Sequence, residues 1–521
     1  MKRSWRSHDR EGCWSNTLRK NLVQEQARSA CSWTRTQRVI FSCALFSLLS
    51  PALLADPPLP TSVPPPSTVT TPPASPTVEE RLTGIEARIN AWDRFVKGLS
   101  IGGAIRYRGE FKSPADYRLA NGNDSEDFNS LRTRLHARFQ AEKHFGAFVE
   151  LQDSRAFGEE SPTFLTDDEG VDLRQGHFVF TDLLGLLPSR PTVLEKIDAT
   201  LRVGREQLPS YGDQRMISPL DWSNIGRAYE GGRATLKFGG AETTADLLWA
   251  QLVEDAGING AGQDAQITGI YAMNRAIPHT ELDVYGFWRN FKHQGGATLG
   301  EDGIAGDLED STFGVRSAFQ KHGARASFEF AYQEGKSATD RVDAFGYAGE
   351  AGYRLEEKCC PWQPGFAFGH TFASGDDDPV DGNENTFKPI APFGHSYQGH
   401  YDIFAWQNGR DTYFKTLVAP FAAKRATVHA DFHWFRLDAQ RDAWYDAGGT
   451  AIRTASAGNQ GRDIGRELDI YVKWASAEKR FAIWTGWSHF WAGNFVRGTG
   501  GGGQGDFLFF QMELFFGEKA G

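Results

Sequence analysis

The stretch Leu131-Arg-Thr-Arg-Leu-His-Ala-Arg-Phe-Gln-Ala141 separates apolar from polar residues by strict alternation. In a β-strand, neighbouring side chains point to opposite faces, so the arginine, histidine and glutamine residues share one face and the others share the second. A soluble sheet buries its apolar face in a core, whereas a transmembrane β-barrel turns that face to lipid and the polar face to its lumen. This stretch therefore predicts a membrane strand with a cationic lumenal face.

The same alternation recurs along residues 99–521, for example in 101–111, 326–332, 468–474 and 508–516. A membrane strand and its connection take roughly 20 to 25 residues, which leaves room for about 18 strands. We predict an all-β fold, a transmembrane antiparallel β-barrel of about 18 strands over residues 99–521. A secreted soluble β-protein, such as a β-helix or jelly roll, is the alternative.

The residues before the barrel predict export. A mean hydropathy of −0.46 excludes a helical membrane protein, and only residues 39–55 resemble a hydrophobic helix. Arg35 and Arg38 precede this run and Asp56 follows it, which is typical of a secretory signal peptide. We predict a signal peptide over residues 1–55 and localisation in the outer membrane of a Gram-negative bacterium. An uncleaved anchor is the alternative.

Two short segments separate the signal from the barrel. Residues 56–77 are rich in Pro, Ser and Thr and predict an extended linker. In residues 78–98, apolar residues recur at alternating intervals of four and three, as in a coiled coil; they are Val78, Leu82, Ile85, Ile89, Trp92 and Val96. This short helix either self-associates, for example as a homo-trimer, or packs alone against the barrel rim; an amphipathic pattern that arises by chance is the third interpretation.

Composition and motifs argue against several functions. The formal net charge of −10 makes nucleic acid an unsuitable partner. Gly335-Lys336-Ser337 lacks the upstream glycine of a phosphate-binding loop, and no HExxH zinc motif occurs. We predict that the protein is not an enzyme.

Outside the signal peptide only Cys359 and Cys360 remain, so no disulfide framework can form. These two cysteines either make a vicinal or intermolecular disulfide or lie in an incidental turn.

The most informative polar residues are arginines on the predicted lumenal faces. Several stand beside carboxylates such as Glu110, Glu150 and Glu230. Arginine binds planar carboxylates in a bidentate manner, and rings of arginine give pores a preference for anions. A salt-bridged, merely wet lumen is the alternative. The arginines are Arg106, Arg108, Arg132, Arg134, Arg138, Arg202 and Arg233.

Two acidic or histidine-containing sets could bind metal. One loop carries several oxygen ligands of the kind that calcium prefers; they are Asp376, Asp377, Asp378, Asp381, Asn383 and Glu384. A solvated acidic loop is the alternative. His429, Asp431 and His433 share one strand face, but lumenal polar residues need no metal. We expect no cofactor other than calcium in this loop.

Several motifs together resemble the alginate export family of outer-membrane porins. They include Leu201-Arg-Val-Gly-Arg-Glu206, Tyr211-Gly-Asp-Gln-Arg215, Asp221-Trp-Ser-Asn224, Gly465-Arg-Glu-Leu-Asp469 and Gly486-Trp-Ser-His-Phe490. The resemblance covers about residues 100–516. It implies a monomeric barrel of about 18 strands that passes anionic uronate polysaccharide through an arginine-rich constriction with loop gates.

The resemblance also implies roles for individual residues. Arg155, Arg205 and Arg215 would line the selective path, and their counter-charges would be Asp153, Glu206 and Asp213. Strict alternation puts Arg205 on the apolar side of its strand. We therefore expect Arg205 either beyond the lipid band or after a β-bulge.

The sequence thus predicts an outer-membrane porin that passively conducts alginate-like polysaccharide or related organic anions through an arginine-lined lumen. Its expected partners are outer-membrane lipid, the anion itself and periplasmic biosynthesis or export components. A structural or adhesive barrel with a plugged lumen is the alternative function.

Overall fold

The computed structural model describes residues 77–119, 125–159, 168–239, 242–252, 265–292, 298–420, 425–455, 461–500 and 502–517. The chain divides into two units, residues 1–79 and residues 80–521, and nearly all described residues belong to the second. The predicted signal peptide and all but the last residue of the predicted linker lie outside the described residues.

The described chain begins with helix α1 (Val78–Gly98), as predicted for this segment. Eighteen long strands follow within the described ranges: β1 Leu99–Ser113, β2 Glu126–Gln140, β3 Phe145–Glu159, β4 Asp168–Phe180, β5 Ile197–Glu206, β6 Tyr229–Phe238, β7 Thr243–Leu252, β8 Ala265–Asn274, β9 Thr280–Phe291, β10 Leu308–Lys321, β11 Ala324–Ser337, β12 Asp340–Arg354, β13 Gly365–Ala373, β14 Gly409–Val418, β15 Ala426–Leu437, β16 Asp463–Ala475, β17 Phe481–Ala492 and β18 Gln504–Gly517.

Minor elements lie in the connections. They are the short helix α2 (Asn494–Gly498), 3-10 turns at Leu183–Leu186, Thr192–Leu194 and Gly394–Ser396, and short strands at Thr298–Leu299, Ala305–Gly306, Asn383–Glu384, Trp444–Tyr445 and Ala451–Arg453. None of the helices in the described residues is long and apolar enough to cross a membrane.

The eighteen long strands close into a single antiparallel barrel. Each strand pairs with its neighbours in sequence, and β18 pairs back onto β1 from Asp506↔Ser113 to Gly517↔Gly102. Lipid offers no hydrogen-bond partner to a free strand edge, so closure satisfies backbone groups that would otherwise be stranded in hydrocarbon. The predicted fold class and the strand number of about 18 are confirmed.

The predicted alternation sets the two faces of the wall. In β2, Arg132 is 2% exposed and faces inward, whereas Leu135 is 48% exposed and faces outward. Large apolar side chains are likewise exposed around the barrel, among them Ile105, Phe178, Val284, Phe328, Phe368 and Leu508. One residue-by-residue alternation therefore produces both the apolar exterior and the polar lumen.

The barrel has two distinct ends. We name the end that holds Leu99 and Gly517 the terminal end and the opposite end the loop end. Short turns such as 141–144 and 322–323 connect strands at the terminal end, where Cys359 and Cys360 lie as free thiols in turn 355–364. Loop A (207–228) and loop B (374–408) connect strands at the loop end.

Loops A and B fold into the barrel and build apolar cores inside it. Leu208, Met216 and Ile217 of loop A pack in one buried cluster with wall residues such as Tyr285 and Phe287. A second cluster combines residues of several loops with the wall; it includes Tyr117, Tyr401, Ile403, Trp444, Phe490 and Phe507. The part of the lumen near the loop end is therefore packed like a protein interior.

Because Phe328 faces outward and Ser327 faces the lumen, a charge introduced at these neighbouring positions of β11 should change the free energy of unfolding by different amounts. Phe328→Arg places a cation against lipid and should lower the free energy of unfolding by about 2–4 kcal/mol. Ser327→Arg, the matched control on the lumenal side, should cost much less. Urea titration of the protein in lipid vesicles measures both, and equal destabilisation would contradict the assigned faces.

Candidate functional site in the barrel lumen

Arginines of β1 hold loop A inside the barrel. Arg106 donates hydrogen bonds to the carbonyl oxygens of Asp221 at 2.5 Å and Ser223 at 2.8 Å. Arg108 donates to the carbonyl oxygen of Trp222 at 2.5 Å, and its guanidinium lies 4.0 Å from the centre of the Trp222 ring. Three successive carbonyl groups of the loop are thus bound by two arginines of one strand.

Arginines of β2 bind the side chain of the same loop. Asp221 Oδ1 accepts hydrogen bonds from Arg132 at 3.0 Å and from Arg134 at 2.8 Å. Desolvation inside the lumen would by itself raise the pKa of Asp221, whose side chain is still 52% exposed, but the charges of Arg132 and Arg134 hold this pKa well below its usual range. Asp221 is therefore a fixed anion between two guanidinium groups.

Strands β3 and β4 bind the part of loop A that follows Ser223 in the sequence. Gln152 donates to the carbonyl oxygen of Ile225 at 3.0 Å, and Arg174 donates to the same oxygen at 3.1 Å. Ser154 donates to the carbonyl oxygen of Asn224 at 3.1 Å. Loop A is consequently attached to four adjacent strands, mainly through its backbone.

Loops A and B are joined by backbone hydrogen bonds inside the lumen. Ser218 N–H donates to Ala391 O at 2.9 Å, and Ala391 N–H donates to Met216 O at 2.8 Å. Arg227 of loop A also donates to the carbonyl oxygen of Pro392 at 2.8 Å. Because each loop holds the other, loop B depends on the arginines that bind loop A.

Trp222 forms a second junction between the loops. The His395 ring of loop B stacks on Trp222 with centroids 3.7 Å apart, on an indole that Arg108 also contacts. Burial, assisted by the charge of Arg108, lowers the pKa of His395 well below its usual range, so the imidazole is neutral at pH 7. Its Nδ1 lies 2.9 Å from Asp402 Oδ1.

The two loop residues from the family motif also lie in the lumen. The Arg215 guanidinium lies 4.1 Å from the centre of the Tyr397 ring and 4.0 Å from Glu329. Asp213 pairs with Arg316 of β10 at 2.6 Å. Both residues fix loop A to the wall opposite Arg106 and Arg132.

A cavity of about 860 Å³ opens between loop A and the terminal end. We name it the terminal cavity. Its charged lining consists of Arg132, Arg134, Arg138, Arg202, Arg233, Glu150, Glu206, Asp221, Asp246 and Glu513. The lining of this cavity thus brings together six of the site residues named from the sequence: the five arginines, which the alternation predicts, and Glu206, which the family motifs imply.

Most of the carboxylates in the terminal cavity contact specific partners. Glu206 and Asp246 both pair with Arg233, at 2.9 and 3.2 Å. Glu513 lies 3.4 Å from Arg132, which also pairs with Asp221.

The two remaining arginines of this lining are Arg138 and Arg202. The Arg138 guanidinium lies 5.7 Å from the centre of the Phe148 ring. Among the described residues, Arg202 has no side-chain hydrogen bond or ion pair, although it lies in the same wall. Arg202 is thus a guanidinium group available to a solute in the cavity.

Three residues implied by the family motifs lie on the outer face instead. Arg155 pairs with Asp153 at 2.8 Å, and both share the face of the exposed Val149 and Phe157. These two residues do not line the lumen, because strict alternation in β3 turns them outward.

Arg205 is the third outward residue. It pairs with Glu230 at 2.7 Å across β5 and β6, whereas its neighbour Glu206 is buried inside. Gly204, at φ +133°, lies against Gly176 O, where a Cβ would clash. The backbones of β4 and β5 thus approach closely just before Arg205. Arg205 nevertheless lies on the outer face, as strict alternation along β5 requires.

The acidic segment of loop B makes contacts within the protein. Asp377 lies 3.5 Å from Arg462, and Asp378 lies 3.3 Å from Arg441. Burial raises the pKa of Asp376 to about 7. Among the described residues no group of three or more His, Cys, Asp or Glu side chains is arranged to hold a metal ion. The calcium site at Asp376, Asp377, Asp378, Asp381 and Asn383 stays a prediction.

Sequence reasoning missed Arg174, Arg316 and the Trp222–His395 stack. Arg316 shares the polar face of β10 with Asp310 and Thr312, so alternation could have found it. Arg174 is the extra residue of β4 at a register shift opposite Glu150 and Leu151, so strict alternation does not identify its face. The stack joins two loops far apart in sequence, and no local pattern indicates it.

The closed barrel, its apolar exterior and its inward-folded loops define the class of the protein: it is an outer-membrane porin. The sequence profile of the alginate export family matches residues 97–509, and the chain belongs to that family. The family and the fold point to a channel rather than an enzyme. No curated protein matches the sequence.

Solved porins of Pseudomonas aeruginosa share the fold. OccK2 (OpdF) is 9% identical, with 81% of this chain and 99% of that chain covered and a TM-score of 0.53. OpdQ is 10% identical, with coverage of 82% and 100% and a TM-score of 0.52. OccK11 (OpdR) is 12% identical, with coverage of 81% and 97% and a TM-score of 0.50. At this identity the likeness concerns the fold alone.

The contacts of Asp221 predict that its charge stabilises loop A. Asp221→Asn keeps the backbone contacts but weakens two charged hydrogen bonds, so docking of the loop should lose about 1–3 kcal/mol. Faster hydrogen exchange of amides in residues 207–228 is the expected readout. Asp153→Asn, which removes an acid from the outer face, is the matched control and should leave this exchange unchanged.

The lowered pKa of Asp221 predicts the pH range over which loop A stays docked. A carboxyl group with a depressed pKa contributes its stabilisation above its ordinary pKa of about 3.9 and loses it only as pH falls through the depressed value. The difference in the opening free energy of loop A between the unmodified protein and Asp221→Asn, derived from hydrogen exchange corrected for intrinsic pH dependence, should be constant from pH 8 to pH 5. Other groups that titrate in this range, such as Asp376 of loop B, affect both proteins equally. A difference that shrinks between pH 7 and pH 5 would contradict the ion pairs of Asp221.

Proposed function

We propose that the protein passively conducts organic anions, among them carboxylate-bearing saccharides of the alginate type, across the outer membrane. The single observation that carries this proposal is Arg202 in the terminal cavity, beside Arg138 and without a carboxylate of its own among the described residues. A guanidinium group of this kind binds a planar carboxylate in a bidentate manner.

The dimensions of the terminal cavity suit a small solute or a short length of chain. Its volume of about 860 Å³ lies within the roughly 300–1,000 Å³ of small-molecule sites. Phe139, Phe148 and Tyr211 add apolar surface to the lining. A carboxylate on a saccharide could therefore bind arginine while the sugar ring contacts an aromatic side chain.

Neighbouring carboxylates would keep this binding weak enough for release. Glu206 lies in the same wall as Arg202 and already binds Arg233. Conduction requires a site that attracts the solute without holding it, and mixed charges satisfy both requirements. The terminal end would face the periplasm, where a newly made anion or a periplasmic export component would meet the cavity.

Planar-bilayer recordings test this proposal. The unmodified protein should prefer anions. Arg202→Ala should lower the anion permeability by roughly fivefold, because a unit charge about 4 Å away in water stabilises an anion by about 1 kcal/mol, and the anion-to-cation permeability ratio should fall with it. Arg138→Ala should act in the same direction. A cation preference of the unmodified protein would refute the proposal.

Arg155→Ala and Arg205→Ala are the matched controls, because both remove one arginine from the outer face of the barrel. Neither variant should change selectivity. If they change it as strongly as Arg202→Ala, the effect comes from the net charge of the protein and not from the lining of the cavity.

A structural or adhesive barrel with a plugged lumen is the second candidate function. The hydrogen bonds between loops A and B inside the lumen favour it. A barrel without conductance, both intact and after removal of loop A residues 210–226, would support the plugged barrel over the channel.

A further inference from the structure

Helix α1 presents an apolar stripe that no described residue covers. Leu82, Ile85, Ile89 and Val96 are 53%, 54%, 61% and 51% exposed. They recur at the a and d positions of a heptad repeat. Ala87 occupies an f position on the opposite side of the helix and so lies outside the stripe. In proteins, a helix gains most of its stability by packing its apolar face rather than from the helix propensity of its residues.

We propose that α1 is a self-association helix, through which three copies of the protein assemble as a parallel coiled coil at the terminal end. The stripe is as narrow as the a/d seam of a coiled coil, whereas a helix that lies on a membrane surface has a broader apolar face. A second copy of the chain is therefore a better occupant than lipid.

The charges beside the stripe match a parallel arrangement. With Leu82 and Ile89 at positions a, the sequence has acidic residues at positions 79, 86 and 93 and basic residues at positions 81 and 88. The first set occupies e positions and the second g positions. In a parallel coiled coil each g residue meets the e residue five positions later on its neighbour, so Arg81 meets Glu86 of the next copy.

An antiparallel arrangement would place like charges together, since g residues then face g residues and e residues face e residues. The membrane imposes the same orientation independently. Every barrel inserts in one direction, and α1 ends at Gly98 directly before Leu99 of β1. Helices of neighbouring copies consequently leave the membrane side by side and run parallel.

The residues of the stripe favour three strands over two. Isoleucine occupies both a d position, Ile85, and an a position, Ile89, a combination that shifts coiled coils from dimers towards trimers. Because no linker separates α1 from β1, the barrels would meet through the outward faces of β1 and β18. These faces expose Ile101, Ile105, Leu514 and Phe516.

The mass of the purified full-length protein, measured by sedimentation in detergent and by cross-linking in membranes, tests the proposal. We expect a trimer for the unmodified protein. Ile85→Asp/Ile89→Asp should yield monomers that retain a folded, heat-modifiable barrel, whereas the matched control Thr83→Asp/Ala87→Asp should stay trimeric. A monomeric unmodified protein, or a trimer that survives Ile85→Asp/Ile89→Asp, would overturn the proposal.

A charge exchange tests the parallel register. Arg81→Glu or Glu86→Arg alone should raise the dissociation constant roughly tenfold, because three inter-chain contacts change at once. The double variant Arg81→Glu/Glu86→Arg pairs opposite charges again and should recover trimer formation. If the double variant is as weak as the single ones, the parallel register is wrong.

Gly84 allows a test that strengthens assembly. It lies on α1 with open space around its Cα, so an added methyl group meets no atom within 4 Å. Alanine favours the helix over glycine. Gly84→Ala should lower the dissociation constant of the trimer, and an unchanged or raised constant would contradict a helix-mediated assembly.

Discussion

The structure depends on one constraint: every backbone N–H and C=O group that crosses the lipid needs a partner in the protein. Pairing of β18 with β1 meets that constraint by removing the edges of the sheet. Closure also assigns each strand residue to lipid or to lumen, since alternate side chains point to opposite sides. The inward Arg132 and the outward Leu135 are consequences of the same backbone geometry.

Most of the lumenal arginines have a structural role, because they bind a loop of the protein itself. Arg106, Arg108, Arg132 and Arg134 bind the backbone or the carboxylate of loop A, and loop A in turn holds loop B by backbone hydrogen bonds. A buried guanidinium group needs acceptors, and carbonyl groups of an inward-folded loop also need donors. The guanidinium donors of the wall pair with the carbonyl acceptors of the loop. The wall and the loops therefore stabilise one another near the loop end.

This division separates structural arginines from arginines available to a solute. Arg233 is saturated by Glu206 and Asp246, while Arg202 faces the terminal cavity without an acid of its own among the described residues. Net charge carries no information about this difference, because it depends on which carboxylate lies within reach of which guanidinium group. The site that we propose for anions is therefore smaller than the complete set of lumenal arginines.

The amino-acid sequence by itself determined the barrel, its approximate strand number and the inward face of Arg132, Arg134, Arg138 and Arg202, because these follow from alternation along single strands. It also indicated that Arg205 lies on the apolar side of β5. Only the tertiary structure decided that Arg106 and Arg132 bind loop A, that Arg155 pairs with Asp153 outside the lumen, and that Trp222 stacks on His395. Such contacts join residues far apart in the chain, and their energies depend on distances that no local pattern of residues encodes.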